Sequence, residues 1–380
     1  MLFQLPSKIY FKYGSTPVGF VDFVDEFKVT HVTIITRQNV WTPFSKNIIK
    51  ELKNLKLAVD VRIIDNLCTP NTLVAKEYVN PFLINPSRKS LVIAFGDHDV
   101  ITNVKLTRLM MLTGHKLTGG KSYHQNQLNP LVIMASNPNG SETSNVLYYH
   151  DEDKRAIATN TGLTSILTLA DAIYTPNHNH IELIEAVGCG LLNSVDALMS
   201  KEDNDFSRRT ALTSLELLLQ YSEKFVGNTA NINFCEKTIH ANLLSGIAFN
   251  NAKSFVVNGL GEAFEEVTYL RKGLLAFLII PAVLTNLNEK QLSHLPNSIN
   301  LIGFKKVSDF AKAISDLGKK LGMNEKVCAS ITQGTDKSFK KEDLINLIVK
   351  HVDMNMVNHQ DFRNTKVSQE DFKSIIKNIL

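Results

Sequence analysis

Ser90-Leu91-Val92-Ile93-Ala94-Phe95 runs without a gap into Gly96-Asp97-His98-Asp99-Val100-Ile101-Thr102, an apolar stretch closed by a glycine and followed by a helical pattern. The first stretch has the length and composition of a buried strand, whereas Val100 to Leu112 places its apolar residues at helical spacing. The same alternation continues outward. His31 to Thr36, Ala58 to Ile64 and Leu131 to Ala135 read as strands, Pro43 to Asn54 reads as a helix, and Asn85-Pro86-Ser87 reads as a loop. Apolar strands separated by amphipathic helices predict a doubly wound, Rossmann-like parallel sheet with helices on its faces.

Two further runs, Asn145 to Tyr149 and Lys154 to Ala158, flank His150-Asp151-Glu152-Asp153 and predict a hairpin on the edge of that sheet. Beyond Pro176 the strand-like runs stop and helical periodicity continues to the C-terminus. This change places a boundary near residues 175 to 180, with an α/β domain over 1–177 and an all-helical domain over 178–380. Within the second domain, Leu244, Ile247, Ala248, Ala252 and Phe255 predict one apolar helix face, which is core packing. Ser308 to Leu321, Lys341 to Val352 and Ser368 to Leu380 predict further helices, the last with Ser368 as N-cap. Leu274 to Leu284 is too short to span a bilayer and contains Pro281, so it reads as a buried helix.

The 380 residues carry 41 Lys and Arg against 37 Asp and Glu, a net charge of only +4. No basic run is interleaved with aromatics, so nucleic acid is not an expected partner, and neither is a membrane. Met1 to Lys8 lacks a basic segment followed by an apolar one, which reads as no secretory leader and a cytoplasmic protein. Asn139-Gly140-Ser141 then has no meaning as a glycosylation acceptor. Cys68, Cys189, Cys235 and Cys328 lie far apart with no paired spacing, and are expected to be reduced and mostly buried.

Several short stretches, none specific alone, combine in order and spacing. They are Tyr10-Phe11-Lys12-Tyr13-Gly14, Val92-Ile93-Ala94-Phe95-Gly96, Gly140-Ser141-Glu142, Asp196-Ala197-Leu198, Ser245-Gly246-Ile247-Ala248-Phe249 and Lys272-Gly273-Leu274. Over most of its length the chain resembles the iron-containing (group III) alcohol dehydrogenase family, whose fold is shared with dehydroquinate synthase. The resemblance implies reduction of aldehydes or ketones, or oxidation of alcohols, with a nicotinamide cofactor and a divalent metal polarising the substrate oxygen. It also implies a ligand cleft between the domains and admits a homodimer.

In that family one Asp and three His hold the metal. The resemblance puts Asp196 at the aspartate, Ser200 and Lys272 at two histidines, and Glu262, within Asn258-Gly259-Leu260-Gly261-Glu262, at the remaining one. A serine hydroxyl is a poor ligand and an ammonium has no lone pair, so neither iron nor zinc is expected. Two arrangements stay open: Lys272 bridges Asp196 and Glu262 as a buried ionic cluster, or all four positions face solvent. A base or Schiff-base role for Lys272 is opposed by neighbouring carboxylates, which raise its pKa.

The family cradles the dinucleotide pyrophosphate on a G-G-G-S-x-x-D turn at a helix N-terminus. Here only Gly96 is kept, and Asp97 and Asp99 stand near the phosphates. Each costs roughly 3 kcal/mol at about 5 Å with an effective dielectric near 20. His98 lies between them, and Asp97 and Asp99 also have the spacing of a metal-bridged phosphate site. The next loop, Met134 to Glu142, keeps Ser136 and Ser141 but few other hydroxyls. Arg37, after the strand ending at Thr36, would suit a ribose 2′-phosphate and hence NADP, or is a surface arginine at a strand end. His178-Asn179-His180 has ligand-like spacing but reads as a helix start.

Three functions follow. The first is an NAD(P)-dependent alcohol or aldehyde oxidoreductase without the family metal, in which Lys272 or Ser200 polarises the substrate by hydrogen bonding. The second is a pseudoenzyme that keeps the scaffold as a binding or oligomerising protein. The third is a different enzyme built in the same cleft on a small molecule.

Overall fold

The computed structural model describes residues 5, 8–65, 83, 89–113, 128–151, 154–159, 161–201, 204–252, 254–292, 294–323, 341–352 and 365–380. Cys68, Cys328, the Asn85-Pro86-Ser87 loop and the Glu152-Asp153 turn lie outside them. The chain divides into two compact units, Met1–His178 and Asn179–Leu380.

In the first unit the strands are β1 (Lys8–Tyr10), β2 (His31–Thr36), β3 (Ala58–Ile63), β4 (Ser90–Gly96), β5 (Leu131–Ala135), β6 (Val146–Asp151), β7 (Lys154–Thr159) and β8 (Leu167–Leu169). Among the described residues, all but β6 and β7 form one sheet in the order β1-β8-β5-β4-β2-β3, with every pairing parallel. Side-chain parity sorts the core onto two faces. Val32, Ile34, Leu91, Ile93 and Phe95 meet Phe20 and Phe23 of α1 (Thr16–Phe27) and Trp41, Ile48 and Leu52 of α2 (Gln38–Asn54). Ile35, Val92, Ala94, Leu131 and Ile133 meet Val100, Ile101 and Val104 of α3 (His98–Thr113) on the other face. Burial on both faces is why β4 and β5 are near-continuous apolar runs and why β2 is rich in β-branched residues. β3, at the edge of the sheet, alternates between exposed and half-buried positions.

The hairpin is corrected in one respect. β6 and β7 pair antiparallel with each other as a separate two-stranded ladder, and do not extend the parallel sheet. β1 and β8 have no counterpart in the sequence reading, since three-residue strands leave no periodicity to detect, and α1 between β1 and β2 was passed over as well. Asp171 holds that corner of the sheet. Its buried carboxylate accepts from the Gly14 and Thr16 N–H groups at 2.9 and 3.0 Å and from the Thr16 hydroxyl at 2.9 Å.

The second unit is built on α4 (His180–Leu198), which is buried almost continuously from Leu183 onward. Asn179 caps it reciprocally with Glu182, which gives Asn179 a structural role in His178-Asn179-His180. Around α4 pack α5 (Asp205–Gly227), α6 (Ile232–Ala252), α7 (Val256–Thr268) and α8 (Lys272–Asn286). The expected apolar face of α6 is cut short: the helix ends at Ala252, and Phe255 instead precedes α7. Ser368 does cap the last helix, Gln369–Ile379, through its hydroxyl and Asp371. Leu274 to Leu284 lies within buried α8. Among the described residues no helix is long and apolar enough to cross a membrane.

α4 and α8 touch through their backbones. A Cβ on Gly188 would lie 1.7 Å from the Gly273 carbonyl oxygen, and one on Gly273 would lie 2.2 Å from the Glu185 carbonyl oxygen. Neither obstacle is a side chain that could turn away. Gly188→Ala is therefore expected to destabilise the protein by about 3 kcal/mol or more, lowering the thermal midpoint by roughly 10 °C. An unchanged midpoint in a calorimetric scan would show that the two backbones do not approach so closely.

Candidate functional site

In the first unit, the chain leaves β2, runs outward to β3, and returns to the opposite side of β2 as β4. The carboxyl ends of β2 and β4 therefore form a switch point, the position where open α/β sheets bind ligands. Arg37 follows β2 there, and Asp97 follows β4. Arg37 Nη1 lies 3.3 Å from an oxygen of Asp97 and 3.3 Å from one of Asp99. Arg37 is 7% exposed, which overturns the surface-arginine reading, and the two aspartates are not uncompensated as their sequence positions suggest. Asp97 also accepts the Val100 N–H at 3.1 Å, so its carboxylate occupies the N-terminus of α3. His98 Nδ1 lies 3.4 Å from the Thr102 hydroxyl. Gly96 is required by packing, since a Cβ there would meet Val100 at 2.7 Å.

The neighbouring loop is pinned from below by residues that the sequence reading missed. Lys105, fully buried on α3, donates to the Ser141 and Ser144 carbonyls at 2.6 and 2.7 Å. Burial pushes its amine down to about 7, partly opposed by Glu142. Burial pushes Glu142 up, against hydrogen bonds from the backbone that include Gly140 N–H at 3.0 Å. Arg108 donates to the Gly162 carbonyl. The signal for both was a charge within an apolar helical run, Val104-Lys105-Leu106 and Arg108-Leu109. Ser136 donates its N–H to the Gly96 carbonyl at 2.9 Å, and the hydroxyls of Ser136 and Ser141 are buried without a hydrogen-bond partner.

In the second unit, Asp196 is 0% exposed at the end of α4. It accepts the N–H groups of Val256, Val257 and Asn258 at 2.7, 3.0 and 2.9 Å, and the Asn258 amide at 2.9 Å. The carboxylate thus starts α7, which is why α6 cannot continue through Phe255. Burial pushes Asp196 up to about 7 against the pull of those hydrogen bonds. Lys272 Nζ lies 2.7 Å from Glu262 and donates to Asn258 Oδ1 at 3.3 Å. Burial lowers the Lys272 pKa, but Glu262 and its neighbours outweigh this and leave it raised. Ser200 is buried and donates to the Ala252 carbonyl at 2.9 Å.

Both open arrangements of these four positions are corrected by this geometry. Lys272 pairs with Glu262 but not with Asp196, whose partners are the α7 N-terminus and Asn258. The solvent-facing alternative fails because Asp196, Ser200 and Glu262 are all buried. The residue that joins Asp196 to Lys272 is Asn258, which the sequence reading passed over in favour of Glu262.

No protein-family model and no curated protein sequence matches this chain. Solved structures do. The sulfoacetaldehyde reductase of Bifidobacterium kashiwanohense, crystallised with NAD⁺, is 17% identical with a TM-score of 0.82, over 99% of this chain and 98% of that one. An iron-containing alcohol dehydrogenase from Thermococcus thioreducens is 14% identical with a TM-score of 0.83, covering 100% and 99%. An alcohol dehydrogenase from Oenococcus oeni is 17% identical with a TM-score of 0.82, covering all of both chains. The chain has the fold of the iron-containing alcohol dehydrogenases.

For that fold's metal, the side chains present here are the wrong donors. Asp196 already receives four hydrogen bonds, Ser200 is turned to a carbonyl, and Lys272 brings a cation. Asn258 supplies one amide oxygen, which Lys272 already approaches. Among the described residues no three His, Cys, Asp or Glu side chains are grouped to hold a metal ion. The turn at Gly96 does not fit a pyrophosphate either, because Asp97 fills the helix end where the anion would bind. Ser136 and Ser141 nonetheless keep hydroxyls for a polar ligand. Cys189 and Cys235 are free and buried, and burial pushes both thiols up.

Proposed function

We propose that this chain uses the iron-containing alcohol dehydrogenase scaffold without metal-assisted hydride transfer, as a cytoplasmic binding or oligomerising protein. One observation carries the reading: the Lys272 ammonium, held by Glu262 and Asn258, lies beside the Asp196 carboxylate network where a divalent cation would need lone pairs. A cation close to another cation is repelled, and removal of the ammonium charge is opposed by the neighbouring carboxylate. The expected partners are a small molecule or a second copy, with neither nucleic acid nor a membrane.

A second reading, an NAD(P)-dependent oxidoreductase working without the metal, is favoured by the Ser136 and Ser141 hydroxyls and by Arg37, which offsets the aspartates at the turn. Substrate polarisation would then fall to Lys272, because the Ser200 hydroxyl is already donated to Ala252. Metal analysis of the purified full chain, with calorimetric titration of Fe²⁺, Zn²⁺, NAD(H) and NADP(H), separates the readings. The first predicts no stoichiometric metal and no dinucleotide heat. Dinucleotide binding with aldehyde-dependent oxidation of NAD(P)H, in the absence of metal, would establish the second. One metal ion held per chain would overturn both.

A further inference from the structure

The N-terminus of α5 faces a small polar pocket in the second unit, away from Lys272 and Glu262. It is lined by Ser200, Asn204, Ser207, Arg208, His294 and Ser298, with apolar walls from α4 and the end of α6. Its interior has room for about one water-sized group. Asn204 caps α5 by accepting the Phe206 and Ser207 N–H groups at 3.1 and 3.3 Å through Oδ1. That bond fixes the amide and turns its NH₂ away from the cap, and the Nδ2 atom is buried with no hydrogen-bond partner. Ser207, one turn into the helix, is 1% exposed, and its hydroxyl also has no partner.

Two orphaned donors at one pocket are costly unless something accepts from them, because a buried unsatisfied polar group loses its hydration without return. The occupant must therefore be an acceptor. Charge sets its sign. The pocket lies at the positive end of a 23-residue helix and includes the Arg208 guanidinium, whose exposed partner is Asp205. Among the described residues lining it there is no carboxylate. The Ser200 and Ser298 hydroxyls are already donated, to the Ala252 and His294 carbonyls at 2.9 Å each, so neither competes for the ligand's lone pairs.

We propose that Asn204, Ser207 and Arg208 form a binding site for a small inorganic anion, which seats one atom in this pocket. That atom is a halide ion or a single oxygen of phosphate. Ser200, one of the four positions aligned with the family's metal ligands, lines one wall of the pocket, but its hydroxyl is already donated to Ala252 and takes no part in the anion site, which stands whether or not the function proposed above is correct.

Thermal unfolding of the full chain tests it, with sodium bromide or sodium phosphate titrated against sodium gluconate at constant ionic strength. A saturable rise in the midpoint is expected. Ser207→Ala, which removes only the orphaned hydroxyl, should weaken the half-saturating concentration about tenfold, the size expected for a hydrogen bond to a charged group. Arg208→Gln should weaken it further. Saturation by bromide identifies a halide site, and saturation by phosphate alone identifies an oxyanion site. Bromide-soaked crystals should then show an anomalous peak beside Ser207. A response that is not saturable, or is identical in Ser207→Ala, or a pocket filled by water while bromide binds elsewhere, overturns the assignment.

Discussion

Lys272→Met is expected to lower stability by about 3–5 kcal/mol, because it leaves the Glu262 carboxylate buried with its closest cation removed. The size follows from the position of the pair. Both side chains are nearly nine-tenths buried, at 12% and 11% exposure, so water cannot replace the lost partner as it does on a surface. Glu262→Gln in the same chain should recover most of the loss, since a neutral amide no longer needs a counter-charge. Denaturant unfolding of the two single variants and the double variant measures this directly. Independent, additive costs would mean that Lys272 and Glu262 are not coupled, and would remove the main observation behind a metal-free scaffold.

Asp196 gives the protein an acid-side stability slope of unusual direction. Its folded-state pKa, about 7, lies above the ordinary carboxylate value of 3.8. Between those values the folded chain retains a proton that the unfolded chain has released. The contribution is therefore complete below about pH 4 and is lost as pH rises through about 7, a change of roughly 4 kcal/mol from this group alone. Asp196→Asn cannot titrate and should flatten the slope across that window. Equal slopes in the variant and the parent protein would place the Asp196 pKa at its ordinary value.

Much of the first unit could be read from the sequence because its strands are buried on both faces. His31 to Thr36 and Leu131 to Ala135 match the observed strands to the residue, since a short β-branched or apolar run that is buried throughout has little freedom of register. The separate β6–β7 ladder could not be read in the same way. Alternating hairpin sequence specifies which strands pair with each other, but not which sheet edge they meet. The candidate sites divide similarly. The chemistry at the positions that the resemblance aligns with metal ligands was visible, because a protonated lysine has no lone pair to offer a cation. Which carboxylate Lys272 would choose was not visible, because that depends on Asp196 being taken up by the start of α7. Asn258 escaped notice because an amide carries no charge to draw attention, and Lys105 because its partners are backbone carbonyls, which every sequence contains.

The meeting of α4 and α8 at Gly188 and Gly273 bears on how far such a sequence can drift. Where two helices are spaced by side chains, each substitution at the seam alters the crossing, and the change must be absorbed by a matching one opposite. Where main chain rests on main chain, the spacing is set by atoms that every residue shares. Side chains around that point can then be exchanged freely while the crossing keeps its geometry. Two glycines thus act as a fixed pivot, and side chains elsewhere in the second unit can be replaced without moving that crossing.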